Sequence, residues 1–424
     1  MDYKRPIAID LFAGAGGMTL GFEQAGFDVL ASVEIDPIHC AVHKYNFPFW
    51  TVICRDIQKI TGSEIRQISK IGNRSIDAIF GGPPCQGFSL IGKRLVEDER
   101  NLLIYHFVRL ILELEPKYFI IENVPGIAIG NHQKILQKIF DKLSKGNYKL
   151  ETDYQILNAA NYGVPQNRKR LFILGCQKDL ILPKYPQAIS SDFTHKSTTK
   201  TSSNLPKSPT VWDAIKDLPE VNNYPELQKR DWTIVNYGTQ SDYVKKLRSL
   251  VPLENDFSYQ RIYNKNLLTS SLRTKHTITI QERFNKTLPG TIEPISRFFR
   301  LHRDGLCNTL RAGTPRSRGA HTSPRPIHPI TPRCITVREA ARLHSYPDWF
   351  RFHITKWHGF RQIGNSVPPL LAKAIATEIV KCLDVILIKP IPQYILSKEE
   401  ILSFNMSKAA QYYRIDCSSV KREI

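Results

Sequence analysis

An α/β fold, with a parallel sheet covered by helices on both faces and a second, smaller lobe, is what this sequence predicts. Three observations carry it. From residue 1 to about 175, short apolar runs alternate with segments whose apolar residues recur at helical spacing. From Cys176 to about Thr336 that alternation stops, replaced by a Ser/Thr/Lys stretch at 195–209, many prolines, and basic residues mixed with Tyr, Trp and Phe. Helical patterning returns near Val337 and is strongest over 368–383.

In chain order, residues 7–12, 28–33, 76–80, 118–121 and 170–174 read as strands, because each is a short apolar run bounded by turn or polar residues. Between them, 18–25, 37–45, 102–114 and 132–143 read as helices. The elements of 176–336 cannot be assigned from pattern. A helix starts near Val337, and in the helix over 368–383 Leu370, Leu371, Ala374, Ile375, Ile379 and Leu383 line one apolar face. The last forty residues read as Lys-rich and irregular, and no internal repeat is visible.

The chain has 424 residues, enough for one large domain and a smaller one. Its 59 Lys and Arg against 39 Asp and Glu give a net charge of +20. That balance favours a polyanionic partner, nucleic acid first, though a basic surface kept for solubility would give the same count. Eight cysteines (40, 54, 85, 176, 307, 334, 382 and 417) include no Cys-x-x-Cys pair, which argues for a reducing compartment and against structural zinc. The N-terminal residues run straight into Ile7-Ala8-Ile9, leaving no room for a signal peptide. No apolar run approaches the ~18 residues of a membrane span; even 385–396 is broken by Lys389, Pro390 and Pro392. A soluble, cytosolic protein is expected.

Asp10-Leu11-Phe12-Ala13-Gly14-Ala15-Gly16-Gly17 follows the first strand and opens a helix. Glycines at such a turn let backbone approach a ligand, and the helix N-terminus offers free N–H groups, so a nucleotide-like ligand fits. A tight turn without a ligand is the plainer alternative. Gly-x-Gly-x-x-Gly spacing is missing, which points away from a dehydrogenase. Glu34 ends the second strand, where a carboxylate can accept from both hydroxyls of a ribose. Asp56 lies in the third strand region, where a carboxylate could bind an adenine amino group.

Gly81-Gly82-Pro83-Pro84-Cys85-Gln86-Gly87-Phe88-Ser89 follows the strand at 77–80. A cysteine on a stiff loop at the carboxyl end of a parallel strand faces the crevice where open α/β sheets bind ligands. A buried cysteine in a rigid turn is the alternative. Glu122-Asn123-Val124 puts a carboxyl at the end of the next strand, either as an acid or merely to cap a helix or meet a lysine. In Gln166-Asn167-Arg168-Lys169-Arg170, alternate residues share a face, so Arg168 and Arg170 point the same way unless they only form a solvated basic edge.

These segments, in this order, resemble the DNA (cytosine-5)-methyltransferases of bacterial restriction-modification systems. The likeness spans residues 10–17, Glu34, Asp56, 81–89, 122–124, 166–170, 338–347 and Gln362-Ile363-Gly364-Asn365-Ser366-Val367-Pro368-Pro369, with Pro-Pro-Cys-Gln and Gln-x-Gly-Asn-x-Val-Pro-Pro the most specific blocks. The resemblance implies a Rossmann-like methyltransferase fold with S-adenosylmethionine held by Phe12, Gly14, Gly16, Gly17, Glu34, Asp56, Ile57, Pro84, Leu103 and Asn365. It implies Cys85 as nucleophile, Glu122 as the acid at cytosine N3, and Arg168 and Arg170 holding the flipped base and organising its pocket. Domain ranges follow: catalytic 1–178, target recognition 179–336, a return segment 337–385 completing the catalytic domain, and a basic tail 386–424. Arg311, Arg316, Arg318, Arg325 and Arg333 are the expected contacts to double-stranded DNA, although a solvated loop would also place arginines there.

Arg55 stands before Asp56 where a glycine is frequent, and the tail has no family counterpart. The resemblance further implies a monomer in the bacterial cytosol or nucleoid. It is either the modification half of a type II system, whose endonuclease shares the site without necessarily touching the enzyme, or an orphan methylase. A tRNA cytosine methyltransferase would share the catalytic blocks, but the Cys-Phe-Thr block of that branch is absent. A non-catalytic DNA-binding relative is unsupported, since Cys85, Glu122 and both arginines are present, and no metal-carboxylate nuclease motif stands in the chain.

Overall fold

The computed structural model describes residues 5–84, 102–129, 133–151, 153–193, 204–313 and 325–416. The first part of the chain gives β1 (Ile7–Leu11), α1 (Gly17–Ala25), β2 (Asp28–Glu34), α2 (Pro37–Asn46), β3 (Thr51–Cys54), α3 (Gly62–Ile68), β4 (Ala78–Gly81), α4 (Leu102–Leu114), β5 (Tyr118–Asn123), α5 (Gln133–Lys145), β6 (Tyr148–Leu150), β7 (Gln155–Asn158) and β8 (Lys169–Gln177). Local chemistry sets several boundaries. Asp36 caps α2, accepting from the N–H groups of Ile38 (2.9 Å) and His39 (3.3 Å), and Pro37 supplies a first helical residue that needs no partner. Gly26 stops α1 at φ 111°, a left-handed angle that suits glycine.

These strands form one sheet in the order β3-β2-β1-β4-β5-β8-β6, with β7 also on β8. The first five run parallel, but β8 is antiparallel to β5, and β6 and β7 are antiparallel to β8. The sheet, expected to be parallel, is therefore mixed. After α5 the chain does not cross back over the sheet in another βαβ unit; it passes from β6 and β7 straight into β8, and such short connections join antiparallel neighbours.

Alternation along the strands divides the core in two. Ala8, Phe80, Tyr118, Ile120, Phe172 and Leu174 face one layer with α1, whereas Ile9, Ile79, Phe119, Ile121 and Ile173 face the layer of α3, α4 and α5.

Among the described residues the middle of the chain has short elements: α6 (Val211–Ile215), β9 (Thr233–Ile234), α7 (Asp242–Leu247), β10 (Gln260–Ile262), β11 (Leu267–Leu268) and α8 (Ile278–Lys286). Then come α9 (Val337–Leu343), α10 (Lys356–Asn365) and α11 (Pro369–Leu383). Helix α11 lies directly on α1. A Cβ on Gly21 would stand 2.5 Å from the Ala372 Cβ and 2.6 Å from the Pro369 carbonyl oxygen, so only glycine permits this approach. The C-terminal helix thus covers the sheet beside the first one.

The tail is not irregular. It forms β12 (Gln393–Ile395), paired in parallel with β10, and α12 (Met406–Tyr412). Ile401 and Leu402 are buried with Ala15, Ala41, Val42 and Tyr45, behind the glycine turn and α2. The Leu402 carbonyl accepts from Ile354 N–H at 3.1 Å, and the Phe404 carbonyl meets His353 Nε2 at 3.0 Å. Composition suggested an irregular segment, but spaced apolar residues decided the outcome.

Buried ion pairs join the middle region to the return helices. Arg342, fully buried, bonds both Asp217 and Asp348. Arg333 bridges Glu220 (2.9 Å) and Glu339 (2.8 Å) and is only 4% exposed. Despite burial, which pushes it up, the Glu339 carboxyl is held down at about 2, chiefly by Arg333. Arg333 therefore leaves the set of expected DNA contacts, because its guanidinium is committed inside the protein. Removing one member of such a pair strands a buried charge. Arg333→Ala is expected to cost about 3–5 kcal/mol of stability in chemical denaturation while leaving the salt dependence of DNA binding unchanged.

Candidate active site

Strand order reverses at β1 and β4, and a cavity of about 390 Å³ opens at their carboxyl ends. The turn after β1, the start of the 81–89 loop, the end of β5 and the α10–α11 junction wall it.

The glycine turn doubles back through left-handed backbone at Phe12 (φ 61°), Gly14 (φ 54°) and Gly16 (φ 100°). Space at Gly14 is open, since a Cβ added there would meet nothing within 4 Å, whereas a Cβ on Gly17 would lie 2.5 Å from the Val367 carbonyl oxygen. Glu34 fastens the turn: its carboxylate accepts from the N–H of Gly14 (2.8 Å), Ile35 (3.0 Å) and Asp36 (2.9 Å). His43 braces it from behind through Nδ1, 3.2 Å from the Gly14 carbonyl. Burial lowers the His43 ring to about 4, so it is neutral and donates that bond.

Of the residues expected at a cofactor, Phe12, Gly14, Gly17, Glu34, Pro84 and Asn365 line the cavity. Gly16 shapes the turn without lining it, since its Cβ direction is filled by Phe47 and His43. Asp56, Ile57 and Leu103 lie outside the lining. Asp56 accepts from Gln58 N–H at 2.9 Å, Ile57 is buried, and Leu103 is half-buried against the same core layer.

At the end of β5, Glu122 forms an ion pair with Arg170, Nε to Oε1 at 2.9 Å. Burial pushes the Glu122 carboxyl up, and the charges of Arg170 and Arg168 oppose this without cancelling it. A Cβ on Gly82 would meet the other Glu122 oxygen at 2.5 Å, so the second glycine of this loop is what lets the carboxylate lie across it. Asn123 Nδ2 donates to the Pro83 carbonyl at 3.2 Å, fixing the loop to β5. Cys85 itself lies outside the described residues, as do Arg316 and Arg318.

Arg168 and Arg170 divide their work. Arg168 is 1% exposed and donates to the carbonyls of Leu310 (2.6 Å), Gly364 (2.8 Å) and Ser366 (2.8 Å). It ties β8, the end of the middle region and the α10–α11 junction together, while only Arg170 reaches the cavity. Arg311 is exposed, and Arg325 is half-buried, 5.2 Å over the Phe360 ring. His43 and His344, which meets the Ser366 carbonyl at 3.1 Å, were not singled out from sequence, and Asn123 entered there only as part of the 122–124 segment, without a role of its own. Each acts through a contact distant in the chain or on a loop, and no local pattern announces that.

Among the described residues there is no His, Cys, Asp or Glu cluster able to hold a metal ion, and no helix is long and apolar enough to cross a membrane.

The sequence pattern of the family described as C-5 cytosine-specific DNA methylase matches residues 7–381. The chain belongs to that family. This methylase is 51% identical to the type II methyltransferase M.XorII of Xanthomonas oryzae pv. oryzae, over 99% of its own length and 95% of the relative's. It is 33% identical to M1.HphI of Haemophilus parahaemolyticus, over 88% and 86% of the two chains. Among solved structures it is similar to a protein described as a prophage-encoded DNA modification methyltransferase of E. coli, at TM-score 0.70 and 35% identity, covering 89% of this chain and 99% of that one. S. pombe Dnmt2 methyltransferase, 17% identical, shares the fold at TM-score 0.53, over 90% of the methylase and 100% of that chain. The methylase is thus a DNA cytosine-5-methyltransferase of the type II kind.

Proposed function

We propose that the methylase transfers the methyl group of S-adenosylmethionine to C5 of a cytosine flipped out of duplex DNA, with Cys85 adding to C6. The carrying observation is that one cavity is lined both by Glu34, a ribose-competent carboxylate, and by the half-buried carboxyl of Glu122, paired with Arg170. The residues present fit the cofactor: space is open at Gly14, and the first turn of α1 offers unpaired N–H groups. When bound, the cofactor supplies an electrophilic sulfonium methyl.

The protein's own groups supply the rest. C5 of cytosine attacks only after the ring gains electron density, which a thiolate adding at C6 provides. A free thiol has a pKa of about 8.5, and nearby arginine charge or oriented N–H groups raise the ionised fraction. Glu122, its pKa raised, hydrogen-bonds or protonates N3 as charge develops there, and Arg170 orients that carboxyl. A base then removes the C5 proton, and the C6–S bond breaks to return the thiolate. Flipping the base costs a few kcal/mol, which phosphate and groove contacts from residues 179–336 offset. The exposure of Arg311 supports such a contact.

Within a restriction-modification system the product protects DNA from a cognate endonuclease acting on the same sequence. Methyl incorporation from labelled S-adenosylmethionine into duplex DNA and into tRNA, followed by bisulfite sequencing, tests the proposal. Duplex DNA methylated at cytosine in one sequence context is expected, and preference for tRNA would overturn it.

A further inference from the structure

We propose that Arg361 binds the α-carboxylate on the amino-acid arm of S-adenosylmethionine; this deepens the cofactor reading above and rests on it. Acidic groups dominate the cavity lining, with Asp10, Glu34, Asp36 and Glu122 against the guanidinium groups of Arg170 and Arg361. Arg170 is engaged by Glu122 at 2.9 Å and by the Lys169 carbonyl at 2.8 Å. Arg361 is half-buried and has no hydrogen bond or ion pair among the described residues.

Asp36, the carboxylate that feels the charge of Arg361, already has partners: it caps α2 through Ile38 and His39 N–H, and its other oxygen lies 3.7 Å from His39 Nε2. Burial pushes the Asp36 carboxyl up, but His39, Arg361 and those N–H donors together hold it below its usual range. Arg361 is therefore close enough to be felt there, without being paired.

Helical spacing puts Arg361 and Asn365 on one face of α10, and both line the cavity. A ligand anchored at Glu34 by its ribose carries an ammonium, a sulfonium and a carboxylate on its other arm. The acidic lining suits the two cations. The carboxylate alone needs a cation, and a guanidinium presents paired N–H donors in carboxylate geometry. The competing donor set is the first turn of α1, whose backbone N–H groups also border the cavity.

Calorimetric titration without DNA separates these. The full-length protein, Arg361→Gln and Arg361→Lys are each titrated with S-adenosylhomocysteine, which keeps the arm, and with 5′-methylthioadenosine, which lacks it. A charge-assisted bond is worth about 1.5–3 kcal/mol, so Arg361→Gln is expected to weaken S-adenosylhomocysteine about 10- to 100-fold. Methylthioadenosine binding should stay unchanged, and Arg361→Lys should recover part of the loss. Equal loss for both compounds, or loss for neither, overturns the inference; the latter assigns the carboxylate to the α1 terminus. If a parallel titration with duplex DNA shows a loss confined to DNA affinity, that overturns it too, in favour of a phosphate. If the unaltered protein binds neither compound, the cofactor reading itself fails, and this inference with it.

Discussion

Methyl transfer by the Cys85→Ala protein is expected to fall to the uncatalysed level, while S-adenosylhomocysteine and duplex DNA still bind. Among the described residues no thiol lines the cavity. Burial pushes the thiols of Cys40, Cys176, Cys307, Cys334 and Cys382 up, the opposite of what a nucleophile needs. Residue 85 follows a loop that the protein fixes on two sides, with Gly82 beneath Glu122 and the Pro83 carbonyl on Asn123. Pro84, the last described residue before it, lines the cavity. The substitution removes one sulfur and leaves the glycine turn, Glu34 and Arg361 intact, so binding and chemistry should separate. Filter assays of methyl incorporation, beside calorimetric binding, check this. A variant that methylates normally would end the covalent mechanism.

Glu122→Gln is expected to lower kcat by about 10²- to 10⁴-fold, the usual contribution of a positioned acid. Glutamine can still accept from Arg170 Nε, so the geometry of the pair survives while the proton for N3 does not. The pH profile carries a second signature. Burial moves the Glu122 carboxyl up, so in the parent protein activity that needs its protonated form declines as pH rises through that raised value. The thiolate demands the reverse, falling away as pH drops. A bell-shaped profile follows, and Glu122→Gln should lose its high-pH limb but keep the low-pH one. Unchanged kcat with both limbs intact would remove Glu122 from the chemistry.

Much of the fold was readable from the sequence because long elements with one exposed side announce themselves. Helix α4 occupies 102–114 as spacing indicated, whereas α9, seven residues long and buried throughout, starts at Val337 where a Thr336–Glu339 capping box fixes it. Strand direction was not readable. Residues 170–174 have the apolar character of a buried strand whichever way the chain enters, and β6 and β7, at three and four residues, were too short to signal the reversal. The tail misled for another reason. Charged residues are scattered along it with no clear helical or strand period, yet Ile401 and Leu402 dock it behind Ala15.

The site divides in the same way. Glycines, Glu34 and Glu122 stand at strand ends, where topology alone directs them to one crevice. Arg333 shared its composition with Arg311, and only the fold places two carboxylates, one of them 113 residues earlier in the chain, around its guanidinium. Pattern identifies what points at the crevice; it does not identify which arginine has already met its partner.

Trapping on a duplex carrying 5-fluorocytosine at the target base tests the covalent step directly. Fluorine at C5 cannot leave as the proton does, so after sulfur adds at C6 and the methyl arrives, elimination is blocked. The expected result is a denaturation-resistant protein–DNA adduct formed only with S-adenosylmethionine present, mapped by mass spectrometry to the peptide containing Cys85. No adduct, or an adduct through a different cysteine, would contradict the mechanism.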